Sequence, residues 1–487
     1  MNMSSQKPLP FSRARRYNRL MSAEKISTDK KKIFKPAPIS GFPEWLPEVR
    51  AVEQGWLDHI RRVFESYGYC NIETPAVEAL DAIRAKGEDV DKEIYVLERL
   101  HKDENDAKEA RLALHFDQTV PMARYVAQHF NELDFPFKRY QMQKVWRGER
   151  PQMGRMREFY QCDIDVINVD QLPLHFDAEV AAVMYEILSG LDIGRVQLRI
   201  SNRKILMGFL DSLDIHTKEG GTTKLDQAIK AEILSDIDKL EKIGKEVTLQ
   251  RIEQTCLVAN YGFSVQTLIA PFLDLCEKKY ATADSLVEAI QSHREINGNN
   301  PIMKEGIEEL SFVMDQLAHL PEGAAVVDLS IVRGLDYYTG TVYETQLENF
   351  QGSICSGGRY DDLAGSYINK HLPGVGISIG FSRLFDVMRQ SGKLPVGRKC
   401  PTDILVALWD EESRGEAAAT AHTLRGNGWN VELYHAPQKI GKQFGYAEKK
   451  GIPYVWLPPS ENENFHQIKD MTAKEQKPAD PKTWVKT

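Results

Sequence analysis

The sequence predicts an α+β protein in which a long helical segment interrupts a β-rich domain and a small α/β domain follows. Two strand-like runs flank an arginine-rich loop between residues 140 and 167, which indicates the β-rich domain. Apolar stripes at helical spacing fill residues 205–322, which indicates the insertion. Strands alternate with helices over residues 399–487, a pattern typical of parallel pairing with right-handed crossovers.

Length and composition fit a soluble protein with several compact domains. The chain has 487 residues, of which 42% are hydrophobic and 27% charged, the ordinary globular balance. No apolar run approaches the roughly 18 residues of a membrane-spanning helix, so we expect no membrane partner and a cytoplasmic location. The six cysteines lack CxxC or Cys/His ligand spacing, which argues against a disulfide framework and a zinc site.

Residues 1–32 differ from the rest of the chain in charge. They carry nine Lys or Arg against two acidic residues, without periodicity, and we predict a disordered basic tail. Their composition also fits an organelle transit peptide, which we consider the weaker interpretation. The remaining chain has 53 basic against 68 acidic residues, so a polyanionic partner would have to bind local basic patches.

The first domain begins with an amphipathic helix and a strand. Apolar residues recur every three or four positions between Val49 and Tyr67, Pro47 suits the first helical turn, and Gly68 suits the cap. Residues 71–77 then predict a strand that contains Pro75, which a sheet tolerates only at an edge or a bulge. We therefore expect a sheet edge here that could form an interface.

The second strand-like run has two chemically different faces. Its apolar side chains fall on one face, and Gln161, Asp163 and Asp165 share the other. The alternation alone slightly favours a solvated polar face, because antiparallel sheets commonly expose one side to water. The other interpretation is that this polar face lines a pocket.

The loop between the two runs concentrates positive charge. Arg147, Arg150, Arg155 and Arg157 surround a turn at residues 151–154. A guanidinium binds two phosphate oxygens at once and stays charged at any working pH, so the loop suits a phosphate ligand. A solvated loop paired with neighbouring glutamates fits the composition equally well.

Two later segments also combine polar and glycine residues. Residues 332–344 (VRGLDYYTGTVYE) could orient a small polar substrate, although a packed turn is the commoner outcome. Residues 374–385 (GVGISIGFSRLF) form an apolar strand that runs into a helix near Arg383. Its glycines do not lie in the strand-to-helix turn, so this is no dinucleotide fingerprint. The small residues instead leave space for a flat ring with Arg383 stacked on it.

Together these segments resemble the histidyl-tRNA synthetase family of class II aminoacyl-tRNA synthetases, from Gly41 to the C-terminus. Residues 41–78, 138–167 and 374–388 resemble the three class motifs, and RGLDYYTG at 333–340 resembles the histidine-specific signature. The resemblance implies an antiparallel catalytic sheet and a homodimer formed through the first motif. It also implies a domain order, which is a tail (1–32), a catalytic domain in two parts (33–204 and 323–398), a helical insertion (205–322) and an anticodon-binding domain (399–487).

The implied reaction has two steps. The carboxylate of histidine attacks the α-phosphate of ATP, and a ribose hydroxyl of the 3'-terminal adenosine of tRNA(His) then attacks the histidyl-adenylate. Charge builds on phosphorus in the first step, so the protein should supply fixed cations. Mg2+ would bridge the outer phosphates of ATP. No protein side chain is predicted as a metal ligand.

The resemblance assigns roles to individual residues. Arg147 would hold the α-phosphate and the substrate carboxylate, and Arg333 would approach the same phosphate where related enzymes use a metal; these two are the predicted catalytic residues. Arg383 would stack on adenine, and Glu149 would contact the adenine edge or the acceptor end. The residues predicted around histidine are Asp117, Thr119 and Gln161 for the ammonium group and Asp165, Tyr337 and Tyr338 for the imidazole.

For tRNA, the resemblance implies contacts from the hairpin loop, through Arg150 and Gln152, and from Lys439 and Lys442 in the last domain. The alternative for the lysines is a helix that they merely keep solvated. Two positions depart from the family pattern. His115 stands where an arginine is common, and Ser382 stands where a glutamate is common.

Two other functions are compatible with a synthetase-like sequence. One is a non-catalytic paralogue that regulates histidine biosynthesis, and the other is an RNA-binding protein of translation control. Such paralogues usually lack the anticodon-binding domain and the arginine signatures, whereas Arg147, Arg333 and Arg383 are all present here. The sequence therefore favours the enzyme.

Overall fold

The structure is a computed structural model. It describes residues 35–486 except 85–87, 100–110, 153, 217–221, 260, 262–264, 295, 297, 333, 335–336, 351, 363, 366 and 461–462. The predicted basic tail (1–32) and the predicted catalytic Arg333 therefore lie outside the described residues. The described residues from Ser40 onward form one compact unit. Among them, no helix has the length and apolarity that crossing a bilayer requires.

The predicted N-terminal helix is confirmed as α1 (Pro47–Ser66). Pro47 lies in its first turn, where the fixed φ of proline suits the helix. The chain leaves the helix at Gly68, which has a φ of 79° and so accepts the left-handed conformation that commonly ends a helix. Trp56, Ile60 and Phe64 are buried along one face of α1.

The elements that follow belong mainly to two sheets. In chain order they are β1 (Cys70–Asn71), β2 (Val77–Ala79), α2 (Leu80–Arg84), β3 (Val96–Leu97), β4 (Leu112–Leu114), α3 (Thr119–Gln128), β5 (Phe137–Trp146), β6 (Glu158–Ile167), α4 (His175–Ser189) and β7 (Val196–Asn202). The prediction of one strand over 71–77 is wrong. The chain leaves β1 after Asn71 and joins a different, three-stranded sheet at Val77, with Pro75, which has no N–H to donate to a ladder, in between.

A mostly helical segment comes next. Its elements are α5 (Arg203–Ser212), β8 (Ile215–His216), β9 (Thr222–Thr223), α6 (Gln227–Ile237), α7 (Leu240–Ile243), α8 (Lys245–Val258), α9 (Val265–Leu268), α10 (Ala270–Cys276), α11 (Ala283–Ser292) and α12 (Pro301–Gln316). The expectation of an entirely helical segment is wrong in one detail, because β8 and β9 form a short antiparallel pair. The pair is too short to show a two-residue alternation in the sequence.

The chain then returns to the large sheet with four strands and a helix. These are β10 (Ala325–Val327), β11 (Thr341–Leu347), β12 (Ser353–Tyr360), β13 (Gly374–Ile379) and α13 (Phe381–Gln390). The sheet has eight strands in the order β1-β5-β6-β13-β12-β11-β7-β10. Its six inner strands pair antiparallel, and its two outer strands pair parallel with their neighbours. The predicted α+β class with an antiparallel sheet is confirmed.

The C-terminal elements surround a hydrophobic core of their own. They are β14 (Ile404–Val406), α14 (Arg414–Gly426), β15 (Val431–Leu433), α15 (Ile440–Lys450), β16 (Tyr454–Leu457), β17 (Gln467–Asp470) and β18 (Gln476–Pro478). The three predicted strands pair parallel, β15 and β16 each with β14. The two antiparallel strands β17 and β18 extend this sheet and were missed. The predicted domain boundaries stay predictions.

Candidate active site

The polar face of β6 is the floor of a site. Residues opposite one another across neighbouring strands form two rows on this face. One row contains Ser356, Ser378, Asp163 and Gln141, and the other contains Gly358, Gly376, Asp165 and Arg139. Asp163 and Asp165 are only 5% and 6% exposed. The alternation alone slightly favours a solvated face, whereas the resemblance favours a pocket. The burial of both carboxylates agrees with the pocket.

Two adjoining cavities lie above this floor, with volumes of about 170 Å³ and about 300 Å³. They share the lining residues Arg147, Gln161, Ser356 and Ser378. Of the residues predicted around histidine, Arg333 lies outside the described residues, and the others line the smaller cavity: Asp117, Thr119, Arg147, Gln161, Asp165, Tyr337 and Tyr338. The residues predicted around ATP line the larger one, and they are Arg147, Glu149 and Arg383.

In the lining of the smaller cavity, Asp165 is held in a fixed orientation. Its Oδ1 accepts a hydrogen bond from the Tyr360 hydroxyl at 3.0 Å, and its Oδ2 pairs with the buried Arg139 guanidinium. Burial raises the pKa of Asp165, while Arg139 and Tyr360 act in the opposite direction. Gly376 leaves the space for this carboxyl, since a Cβ there would lie 2.0 Å from Asp165 Oδ1.

The start of α3 and Gln161 on β6 also line the smaller cavity. Asp117 Oδ1 accepts hydrogen bonds from the backbone N–H groups of Thr119 and Val120, at 3.1 and 3.2 Å, which fixes the carboxyl at the helix N-terminus. Gln161 Nε2 donates to Ser378 Oγ at 2.8 Å. Tyr337 and Tyr338 also line this cavity, and the Tyr337 hydroxyl donates to the Tyr338 hydroxyl at 2.8 Å.

Arg147 lies where the two cavities meet. Its guanidinium is 4.3 Å from the centre of the Phe116 ring and 5.3 Å from that of Phe159, and its Nε donates to the Phe116 carbonyl at 3.3 Å. Aromatic faces attract a cation without neutralising its charge. The guanidinium is therefore held in position while its charge remains available to an anionic ligand.

The larger cavity has a second cation and an aromatic wall. The Arg383 guanidinium is 5.4 Å from the centre of the Phe350 ring, and Phe159 lines the same cavity. Glu149 also lines it and accepts a hydrogen bond from Arg155 at 2.8 Å. A guanidinium and an aromatic ring in the lining of one cavity suit an aromatic ligand.

The four arginines of the hairpin loop lie in different surroundings, which are the larger cavity, backbone carbonyls and solvent. Arg147 and Arg155 line the larger cavity, whereas Arg157 donates to the carbonyls of Glu149 and Ser40, at 3.2 and 3.4 Å. Arg150 is exposed, as is Gln152. The loop therefore presents side chains both to the cavity and to solvent.

The signature segment around the undescribed residue 333 is held by α5. The backbone N–H of Arg203 donates to the Gly340 carbonyl at 2.9 Å, and its Nη1 donates to the Gly334 carbonyl at 3.2 Å. Gly334 has a φ of 67°, and a Cβ there would lie 1.9 Å from the Tyr338 ring. Only glycine fits between this backbone and that ring.

The two departures from the family pattern both have structural partners. His115 is buried, its Nε2 donates to the Lys144 carbonyl at 2.6 Å, and burial lowers its pKa, so the ring is neutral near pH 7. Ser382 Oγ accepts a hydrogen bond from the backbone N–H of Tyr160 at 2.8 Å, which joins α13 to β6. Neither residue lines either cavity.

Several lining residues were not assigned to the site from the sequence. In the smaller cavity they are Asp163, Ser356, Tyr360 and Ser378, and in the larger cavity they include Arg155, Met156 and Phe159. The alternation along β6 could have identified Asp163, because it shares a face with Gln161 and Asp165. The residues of β12 and β13 join the site only through strand pairing, for which the local sequence gives no signal.

The lysines predicted to contact tRNA lie at the start of α15. Lys439 and Lys442 are both exposed. At the other end of the helix, Lys450 instead pairs with Glu432 at 2.8 Å and so stabilises the domain. Among the described residues, no group of three or more His, Cys, Asp or Glu side chains could hold a metal ion.

Comparisons with known proteins agree across the chain. A family model described as histidyl-tRNA synthetase matches residues 41–384, and one described as an anticodon-binding domain matches residues 394–483. A histidine–tRNA ligase of Thermobifida fusca (strain YX) is 50% identical, covering 93% of this chain and 99% of the relative. One from Bifidobacterium animalis subsp. lactis (strain AD011) is 43% identical, covering 92% and 96%.

Solved structures give the same result. The crystal structure of histidyl-tRNA synthetase from Nostoc sp. PCC 7120 superposes with a TM-score of 0.79 at 36% identity, covering 92% of this chain and 97% of that one. A Bacillus halodurans C structure, titled as an ATP phosphoribosyltransferase regulatory subunit/histidyl-tRNA synthetase, has a TM-score of 0.66 at 20% identity, covering 85% and 97%. The second likeness concerns the fold alone.

Proposed function

This chain belongs to the histidyl-tRNA synthetase family and is a histidine–tRNA ligase, and from that premise we propose that its two adjoining cavities bind the two small substrates. Histidine occupies the smaller cavity and ATP the larger one. One observation carries this assignment, which is that Arg147 lines both cavities. A carboxylate in the first and an α-phosphate in the second can therefore meet at one guanidinium.

The activation step uses this shared position. A carboxylate oxygen of histidine attacks the α-phosphorus of ATP, and pyrophosphate leaves. Arg147 stabilises the charge that develops on the phosphate oxygens, and the aromatic rings beside it keep it oriented before the substrates arrive. Arg333 is proposed as the second cation from the family signature alone.

Recognition of the imidazole depends on Asp165. The neutral ring donates an N–H to this carboxylate and accepts a hydrogen bond from a hydroxyl of Tyr337 or Tyr338. Asp165 is held by Arg139 and Tyr360, so it need not reorganise when the ring binds. The ammonium group binds Asp117, Thr119 and Gln161 in the same cavity.

In the larger cavity, adenine stacks on Arg383 and Phe159, and Glu149 contacts the adenine edge or the acceptor end. The exposed Arg150 and Gln152 contact the acceptor end of tRNA, and Lys439 and Lys442 contact the anticodon arm. Among the described residues, no cluster of His, Cys, Asp or Glu side chains fits Mg2+ as a set of protein ligands. A homodimer formed through residues 41–78 and a cytoplasmic location are proposed from family membership.

The test is histidine-dependent ATP–pyrophosphate exchange in Arg147→Ala. Loss of one preorganised donor at the reacting phosphate commonly lowers turnover by about 10²–10³-fold, and we expect a loss of at least this size. Arg150→Ala is the matched control, because it changes an exposed arginine of the same loop. It should keep exchange activity and weaken only tRNA charging. Exchange by Arg147→Ala within about tenfold of the native rate would contradict the proposal.

A further inference from the structure

One buried carboxylate in the smaller cavity has no role in the assignment above. Asp163 lies on β6 between Gln161 and Asp165 and lines the cavity, and it is only 5% exposed. Its Oδ1 is buried and has no hydrogen-bond partner among the described residues. An unpaired buried acceptor is costly, so this atom indicates a ligand donor in the cavity.

The neighbours of Asp163 leave it without a dedicated cation. Ser378, opposite on β13, accepts a hydrogen bond from Gln161 and donates its own hydroxyl to Asp163. Gln141, opposite on β5, donates instead to Thr74 Oγ1 at 2.9 Å. The nearby Arg139 is already paired with Asp165.

The other ionisable groups around Asp163 do not supply a positive charge either. Asp117 and Asp165 are acidic, the buried thiols of Cys162 and Cys355 lie beside it, and Tyr337 faces it from the signature segment. Burial raises the pKa of Asp163 to about 7. A bound cation would lower this pKa again, because it favours the ionised carboxylate.

We propose that Asp163 binds the α-ammonium group of histidine and so selects ligands that carry this group. The proposal rests on the proposed function, since it takes the smaller cavity as the histidine site. The imidazole is then bound by Asp165, the carboxylate by Arg147, and the ammonium is shared between Asp117 and Asp163. Each charged part of the zwitterion thereby meets an opposite charge.

The test compares two ligands that share the ring. Histidinol keeps the ammonium group, whereas 3-(imidazol-4-yl)propionate lacks it. In Asp163→Asn, which keeps the size of the side chain and removes its charge, we expect the Kd of histidinol to rise about 10–100-fold. The Kd of the propionate should change by less than about threefold. Asp165→Asn is the matched control, and it should weaken both ligands because both carry the ring.

Equal losses for the two ligands in Asp163→Asn, or no loss for either, would overturn the proposal. Asp163→Ser provides the same comparison if the Asn variant does not fold. Histidine-dependent exchange by the native protein is measured separately. Its absence would refute the proposed function, whereas its presence with an unselective Asp163 variant would refute only this inference.

Discussion

At the scale of single residues, the smaller cavity places two aspartates of one strand face in different chemical states. Asp165 has both carboxylate oxygens engaged, by Tyr360 and by Arg139. Asp163, two residues earlier, has an oxygen without a partner among the described residues. Because both side chains are equally buried, the difference lies in their partners. A fixed carboxylate suits recognition of a ring, and an unsatisfied one suits recognition of a cation.

The state of Asp163 predicts a pH dependence of stability. Its pKa is about 7 in the folded protein and near the usual 3.8 when unfolded. Between these values the folded protein keeps a proton that the unfolded chain has lost, so stability falls as the pH rises. Relative to Asp163→Asn, the native protein should lose up to roughly 3 kcal/mol of unfolding free energy between about pH 5 and about pH 8.

The measurement is urea unfolding of both proteins at the two pH values, with an exposed-site variant, Asp410→Asn, as the control. Asp410 has a lowered pKa from local hydrogen bonds, so its variant should not reproduce the trend. A difference between native protein and Asp163→Asn that stays constant with pH would contradict the raised pKa.

At the scale of elements, the junction of β7 and α5 holds both ends of the signature segment. Arg199 on β7 pairs with Asp328 at 2.6 Å, where the chain leaves β10, and with Glu241 of α7 at 2.5 Å. Arg203, the first residue of α5, donates a side-chain hydrogen bond to the Gly334 carbonyl and a backbone hydrogen bond to the Gly340 carbonyl. The segment that carries the two tyrosines is therefore positioned by residues more than a hundred positions earlier in the chain.

Arg203 should accordingly act as a positioning residue. In Arg203→Met the side-chain hydrogen bond to the Gly334 carbonyl and the charge are lost, while the backbone hydrogen bond to the Gly340 carbonyl and most of the length of the side chain are kept. We expect kcat for exchange to fall about 10–100-fold with little change in the KM for ATP, since small displacements of reacting groups reduce turnover strongly. Steady-state exchange kinetics measure this split.

Two further variants test whether the loss of kcat is specific to the guanidinium of Arg203. Arg203→Lys keeps a cationic donor and should restore part of the lost kcat. Lys204→Met, on the next residue, removes ion pairs with Glu305 and Glu309 and should leave the kinetics unchanged. Native kinetics in Arg203→Met would show that the segment does not depend on this residue.

At the scale of the whole molecule, the largest hydrophobic core and the core of the C-terminal elements are separate clusters of residues. The larger one joins the eight-stranded sheet with the helical segment, and the smaller one is confined to the C-terminal strands and helices. Both cavities lie over the large sheet, whereas Lys439 and Lys442 are on the C-terminal unit. With the substrates and tRNA placed as proposed, activation of histidine and binding of the anticodon arm would depend on different cores.

This arrangement predicts that the two activities can be changed independently. The double variant Lys439→Ala, Lys442→Ala should keep native exchange rates and bind tRNA more weakly. Each phosphate contact that is lost should reduce the salt dependence of tRNA binding by roughly one unit of slope. Lys474→Ala, an exposed lysine between β17 and β18, is the control and should bind tRNA normally. Equal losses of exchange and tRNA binding would contradict the separation.

Helices and strands whose apolar residues repeat at a regular spacing were predicted from the sequence, and elements without such a repeat were not. Helix α1 and strands β5 and β6 follow directly from spacing, because helical and strand periodicities are set by neighbouring residues. The short pair β8–β9 and the strands β17 and β18 have too few residues to show a period. The break between β1 and β2 reflects a change of sheet that the local pattern does not encode.

Local patterning was thus sufficient for the α+β class and the two faces of β6, and the resemblance of the motifs was sufficient for the family. It could not establish that the face with Gln161 and Asp165 is covered, or that Tyr360 and Ser378 join it, because these depend on cross-strand register. Nor could it separate the structural His115 and Lys450 from residues that face a ligand. Side-chain direction is a property of adjacent residues, whereas burial and partners come from segments that meet only when the chain is folded.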